Sequence, residues 1–257
     1  MGRPLSILYT SYNEIDTIGR SLETVMDWSD DLTVVDSFST DGTYELLQEM
    51  AGVQVVQRHY TGPAEQKNWA VARARHPWVL LLDADEWVTA DLRREIEELL
   101  DRPEEADAYW IYRDNYFMGR HIRHSGWGND RVVRFFHRDR ARYNDKQVHE
   151  EIVTKGLRTG ELRGRLEHHT FKSLDHFLDK TRRYARWSAR DHAEGTGRVG
   201  PFHLLVKPTY RFLKHYILQG GFRDGREGLI ISYVAAYGIF LRYAYLLAER
   251  KSPSLRP

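Results

Sequence analysis

Apolar positions along the first hundred residues follow two alternating patterns. The runs "LSILY" (5–9), "LTVVD" (32–36), "VQVV" (53–56) and "WVLLLD" (78–83) are almost wholly apolar, as expected of short strands buried on both faces. Between them apolar residues recur three or four apart: Ile15, Ile18, Leu22 and Val25, then Tyr44, Leu47 and Met50, then Leu92, Ile96, Leu99 and Leu100. That spacing lines one face of a helix. "AEQKNWAVARAR" also reads as helix, and Gly52 closes the helix before it. Strands alternating with helices predict an α/β fold with a mostly parallel central sheet.

After residue 105 the pattern changes. "AYWIYR" (108–113) and "RVVRFFHR" (131–138) read as strands of a mixed region, separated by the Gly-, aromatic- and Arg-rich "NYFMGRHIRHSGWGNDR". From Ser173 the chain reads as helical, with a break at "EGTGRVGP" (194–201) and helix again to residue 250. The expected organisation is a main domain over 1–195 and a helical C-terminal extension over 196–257. Segment 228–248 is long enough to cross a bilayer. Arg242 and the many tyrosines argue against a free span and for a helix lying on a membrane surface. Lys207, Arg211, Lys214, Arg223 and Arg226 precede or open that segment, and Lys180, Arg182, Arg183, Arg186 and Arg190 line the helix before. A helix packed on the main domain with a basic rim is the alternative.

Composition narrows the classes. The chain has 257 residues, 41% of them apolar, enough for one large domain or a domain with an appendage. A net charge of +1 gives no nucleic-acid footprint. The absence of cysteine excludes a disulfide framework and thiolate zinc sites. The N-terminus has no long apolar signal region, so a cytoplasmic protein is expected.

The chemistry concentrates at three strand ends: Thr10 to Glu14, Asp36 to Asp41, and Asp83 to Glu86. In open α/β sheets ligands bind beyond the carboxyl ends of strands. Asp83 and Asp85 are expected to share a face of an extended strand, where two like charges call for a hard cation such as Mg2+ or Mn2+. No G-x-G-x-x-G follows the first strand and no G-x-x-x-x-G-K-[ST] occurs, which speaks against dinucleotide and P-loop enzymes. A nucleoside diphosphate held by a metal on these carboxylates, with Lys67 as a further positive charge, fits instead. "HEEIV" (149–153) lacks the second histidine of a zinc-protease helix, and His168, His169 and His176 match no standard zinc spacing.

"LSILYTSYNEIDTIGRSLETV", "VVDSFSTDGTYELLQEMAGVQVV", "GPAEQKNWAVARA" and "WVLLLDADEWV" resemble the successive blocks of family-2 glycosyltransferases. "NYFMGRHIRHSGWGNDRVVRFF" and "VHEEI" resemble the bacterial lipopolysaccharide-core glucosyltransferases among them. The resemblance implies a GT-A-type nucleotide-binding fold and inverting transfer of a hexose, glucose in that subgroup, from a UDP-sugar. The implied acceptor is a cell-envelope glycan or glycolipid. Location would be cytoplasmic or peripheral on the inner face of the cytoplasmic membrane.

By the same resemblance Thr10, Tyr12, Asn13 and Glu14 form the first nucleotide-binding segment, and Asp36, Ser39 and Asp41 the second. Ser37 stands where many relatives carry a second acidic residue. Gln66, Lys67 and Asn68 match a donor-site segment, and Asp83, Ala84 and Asp85 the DxD motif. Asp83 and Asp85 are the expected metal ligands, with His149 as a third. Glu150 is the expected general base, with Asp130 and Asp145 as substitutes. Trp127 and Asp130 are expected to shape the acceptor pocket. Two other classes compete: a non-catalytic nucleotide-sugar-binding subunit, and a nucleotidyltransferase, whose Gly-rich basic N-terminal loop is missing here.

Overall fold

The computed structural model describes residues 4–102, 105–144, 150–171, 173–193 and 195–251. The chain divides into two compact units, Met1–Asp114 with Asp130–His168, and Asn115–Asn129 with His169–Pro257. This division departs from the expected 1–195 and 196–257. The break at 194–201 is a local interruption between helices, and residues 115–129 and the helix after Ser173 belong with the C-terminal helices.

The first unit opens with β1 (Leu5–Ser11), α1 (Ile18–Glu23), β2 (Asp31–Asp36), α2 (Thr43–Glu49), β3 (Gln54–Gln57), α3 (Pro63–Val71) and β4 (Trp78–Asp83). β3, β2, β1 and β4 lie side by side and parallel, with Ile7 opposite both Leu32 and Leu80. Both faces of β1, β2 and β4 are buried, which is why their sequences are so largely apolar, whereas β3, expected to be buried on both faces, is the edge strand and leaves Val56 39% exposed. Ile7, Tyr9, Val34, Leu80 and Leu82 pack under Ile18 and Leu22 of α1 and Leu47 of α2. On the opposite face Leu8, Val35, Val79 and Leu81 pack against Ala64, Ala70 and Val71 of α3.

Beyond β4 come β5 (Glu86–Val88), α4 (Ala90–Leu100), β6 (Ala108–Phe117), β7 (Arg120–Ile122), β8 (Arg131–His137) and β9 (Thr159–Phe171). The sheet continues from β4 through β8, β6 and β9 to β5. β8 pairs antiparallel with both β4 and β6, and β9 antiparallel with β5. The sheet is therefore mixed: parallel across its first four strands, with antiparallel pairing at β4–β8, β8–β6 and β9–β5. The long strand β9 was not foreseen. Its inward positions are Leu162, Gly164, Leu166, His168 and Thr170. Only two of these are large and apolar, so alternation is hidden. Gly164 is required by a close approach, because a Cβ there would lie 2.4 Å from Leu92 Cα and 2.6 Å from Leu92 N, at the start of α4.

In the second unit the last residues of β6 pair with β7, and the main helices are α5 (Leu174–Asp191), α6 (Lys207–Leu213) and α7 (Gly225–Lys251). Asp224, buried just before α7, ties the 115–129 segment to the helices. It accepts from the backbone N–H of Arg123 (3.2 Å) and His124 (2.9 Å) and from Ser125 Oγ (3.0 Å). Phe117, Ile122, Phe177, Ile231 and Val234 form the apolar cluster beside it. Ile231, Val234, Tyr243 and Leu246 are buried within the unit, so α7 is its scaffold.

The Gly164 contact yields a test. Gly164→Ala should destabilise the protein by about 1–3 kcal/mol, because backbone atoms of α4 must move to admit one methyl group. Urea unfolding of the two proteins measures this, and an unchanged midpoint would contradict the close packing of β9 on α4.

Candidate active site

Sheet register assembles the site in the first unit. Thr10 lies opposite Asp83 across the β1–β4 pair, and Ser11 opposite Asp36 across β1–β2. The three polar strand ends thus meet on one edge, as their sequence positions predict.

Asp83 and Asp85 do not share a strand face. β4 ends at Asp83, Ala84 and Asp85 form a turn, and β5 begins at Glu86. The turn sends the three carboxylates to different partners. Asp83 is ion-paired with Lys67 Nζ at 2.9 Å and with Arg134. Glu86, fully buried, accepts from Arg134 Nε (2.8 Å), Arg113 Nη1 (3.0 Å) and the backbone N–H of Asp83 (3.1 Å). Asp85 lies 3.5 Å from His168 Nε2. The β5–β9 register pairs Glu86 with His168, and that pairing delivers the imidazole to the residue just before β5.

Lys67 projects from α3 and is 4% exposed. Its Nζ also meets Glu150 Oε1 at 2.9 Å, so one buried ammonium joins the DxD carboxylate to the expected base. Asn68 holds the segment that carries Glu150. Its amide donates to Tyr143 O (3.1 Å) and accepts from Tyr143 N (2.9 Å), and Tyr143 bridges to Ile152. Burial would push the Asp83 carboxyl up, but Arg134 and Lys67 outweigh it and hold the group well below the usual range. Burial would push the Lys67 ammonium down, and Asp83 first among its carboxylates reverses that.

The other expected residues take several roles. Asp36 accepts from Ser39 N (3.0 Å) and Gln57 Nε2 (3.2 Å), and Ser39 Oγ accepts from Asn13 N (2.9 Å). Asn13, at φ 56°, accepts from Thr40 N (2.8 Å), and Asp41 accepts from Ile15 N (3.2 Å). Glu14 N donates to Thr43 Oγ1 at 2.9 Å. These contacts bind the two nucleotide-segment loops to each other. Tyr12 stands 57% exposed beside them. Gln66 is buried and bonded to Arg58 and Ser37.

Asp130 is clasped by Arg113, at 2.9 Å to each carboxylate oxygen. That leaves it less suited than Glu150 to accept a proton. Trp127 sits in the second unit, 5.7 Å from the Phe171 ring and 6.1 Å from Phe177, where it packs the core of that unit. Asp145 and His149 lie outside the described residues.

Sequence reasoning gave Glu86 no role of its own and missed Arg113, Arg134 and the Asp85–His168 pair. Arg134 had one signal, a lone cation inside the apolar run "RVVRFF". His168 had none, since its partner is brought by a strand that alternation does not reveal.

The donor set fits a hard divalent ion. Among the described residues no three His, Asp or Glu side chains form a ready-made metal cage. Asp85 and His168 nonetheless offer a carboxylate oxygen and an imidazole nitrogen, and a nucleoside diphosphate would complete the ligands. Among the described residues, ion pairs join Asp83, Glu86, Asp130 and Glu150 to Lys67, Arg113 and Arg134.

A family model described as Glycosyl transferase family 2 matches residues 6–159. The lipopolysaccharide core biosynthesis glycosyltransferase LpsC of Rhizobium meliloti (strain 1021) is 29% identical, over 99% of this chain and 95% of that protein. An uncharacterized glycosyltransferase of Rickettsia prowazekii (strain Madrid E) is 27% identical, over 95% of this chain and 87% of its own. Among solved structures, S. aureus TarS 1–349 in complex with UDP aligns with TM-score 0.52 and 17% identity, over 97% of this chain and 92% of that one. The mannosyltransferase PcManGT from Pyrobaculum calidifontis, in complex with GDP-Man and Mn2+, aligns with TM-score 0.53 and 17% identity, over 99% and 76%. The fold is of the GT-A type.

The shifted groups predict a pH dependence. The Asp83 carboxyl titrates below its ordinary 3.8 when folded, so its contribution to stability is complete above that value and is lost as pH falls through the folded pKa. Lys67 titrates above its ordinary 10.5, so its contribution is complete below that value and is lost as pH rises through the folded pKa. Asp83→Asn should therefore cost on the order of 1–3 kcal/mol, with no change between about pH 5 and about pH 9. Denaturant unfolding across that range measures it. A cost that drifts with pH inside the window would contradict the ion pair.

Proposed function

The chain belongs to glycosyl transferase family 2, and we propose that it transfers a hexose, glucose by preference, from a UDP-sugar to a lipopolysaccharide-core or related cell-envelope acceptor, with inversion at the anomeric carbon. The observation that carries this reading is the placement of Glu150 and Asp83 on either side of Lys67, beside the Asp85–His168 pair, at the carboxyl edge of the parallel strands. The similarity to LpsC along nearly the whole chain supports the acceptor class. The UDP in the TarS complex and the GDP-Man with Mn2+ in the PcManGT complex support a nucleotide-sugar donor and a divalent metal.

Asp85 and His168 would hold Mg2+ or Mn2+ against the donor diphosphate. When bound, the ion supplies charge that stabilises the departing nucleoside diphosphate. Glu150 takes the proton of the acceptor hydroxyl as that oxygen bonds to the anomeric carbon. The bond from that carbon to the diphosphate oxygen breaks on the opposite face, and its electron pair leaves with UDP. Lys67 fixes the position of Glu150 through the 2.9 Å contact and ties it to Asp83. Arg134 and Arg113 hold Asp83 and Glu86, so the turn that presents Asp85 is rigid before substrate arrives. The reading also places the protein on the inner face of the membrane that carries the acceptor.

Product analysis tests the reaction class. With UDP-glucose, Mn2+ and a deglucosylated core acceptor, release of UDP together with a β-linked product supports the proposal, whereas uridylyl transfer with release of glucose 1-phosphate, or retention of configuration, refutes it. A second expectation concerns the base. Glu150→Gln should lower turnover by about 10²–10⁴-fold while leaving UDP affinity nearly unchanged. If steady-state kinetics and UDP titration show instead that this variant turns over normally, Glu150 is not the base.

A further inference from the structure

The second unit turns an apolar helix face outward. Residues 202–218 form one continuous helical run, α6 with a wider helical turn at each end. Phe202, Val206, Tyr210, Leu213 and Ile217 succeed one another at steps of four, four, three and four, which places them in one stripe. Together with Leu218 they are 42–73% exposed. Two polar side chains of the run point toward α7. Lys207 Nζ donates to the Tyr243 hydroxyl on α7 at 2.7 Å, and the His203 ring lies 4.9 Å from the Tyr243 ring. A helix on a water-facing surface has the opposite arrangement, with its apolar stripe turned to the core.

Charge is equally one-sided. Between Glu194 and Asp224 the chain carries Arg198, Lys207, Arg211, Lys214 and Arg223 and no acidic residue, although basic and acidic residues nearly cancel overall, 38 against 37. Arg211 donates to His215 at 3.2 Å, and burial, then the nearby charge of Arg242, holds Arg211 below its ordinary value. The Nε of Arg242 is buried without a hydrogen-bond partner among the described residues. This is a group of cations without a carboxylate, next to an exposed apolar stripe.

We propose that the helical run 202–218 lies in the headgroup layer of an anionic phospholipid surface, its apolar stripe against the acyl chains and the exposed Arg198 and Arg223 that flank it among the phosphates. An interfacial helix needs those two features together. An apolar groove on a partner protein would match the stripe but would not account for the absence of acidic residues throughout the stretch. α7 is long and apolar enough to cross a membrane, yet its buried Ile231, Val234, Tyr243 and Leu246 make it the platform on which the run is mounted. The inference stands independently of the sugar-transfer reaction.

Flotation of the full chain with vesicles tests it. Vesicles with about 30% phosphatidylglycerol should carry the protein, neutral phosphatidylcholine vesicles should carry far less, and raising salt from about 0.05 to about 0.5 M should weaken binding. The double substitution Leu213→Glu with Ile217→Glu should lower anionic-vesicle binding about tenfold or more, with circular dichroism and the thermal midpoint unchanged. Should that pair fail to fold, Val206→Ser with Leu218→Ser makes the same test. Absence of flotation at low salt would overturn the proposal, as would flotation that survives the substitutions in the stripe. Sedimentation velocity supplies the remaining contrary result: a concentration-dependent dimer, dissociated by the same substitutions and indifferent to vesicles, would make the stripe a contact between copies of this chain.

Discussion

A carboxylate sealed from water at Glu86 sets the terms for the site around it. Such a group must be matched by positive charge, and here Arg134 from β8 and Arg113 from β6 supply it. Two guanidiniums on one carboxylate leave positive charge to be matched in turn. Asp83 takes up Arg134, and Asp130 takes up Arg113. Lys67 then joins Asp83 to Glu150. Buried ion pairs of this kind add little net stability, since desolvation offsets much of the attraction. What they supply is position, because removing any one member strands a charge in a poorly solvated place.

This network also divides labour within the DxD motif. With Asp83 held by Lys67 and Arg134, Asp85 is turned by the break between β4 and β5 toward His168. Its neighbour His168 arrives by strand pairing from more than eighty residues on, a placement that depends on the register of β5 against β9. Gly164 belongs to the same arrangement, since it lets β9 lie close against α4.

The strands legible in the sequence are those buried on both faces, β1, β2 and β4, where continuous apolar runs leave little ambiguity. Their polar ends meet on one edge of the sheet, and Glu150 and Asp83 meet the same Lys67 ammonium. β9 was hidden because glycine, histidine and threonine occupy inward positions that alternation would fill with large apolar residues. Arg113 and Arg134 were hidden because a single cation in a strand reads as surface until its partner is known. The shared face expected for Asp83 and Asp85 failed because the chain turns at Ala84. The compact units divide differently from 1–195 and 196–257 because composition reports where a helix stops, not contacts such as those of Asp224 with Arg123, His124 and Ser125.

The central claim is that Asp85 and His168, rather than Asp83, hold the metal against the diphosphate. Calorimetric titration of Mn2+ into the UDP-bound protein tests it most directly, comparing the native chain with His168→Ala. The account predicts that Mn2+ affinity falls about tenfold or more in the variant, with UDP affinity in the absence of metal unchanged. Equal Mn2+ affinity in the two proteins would contradict it.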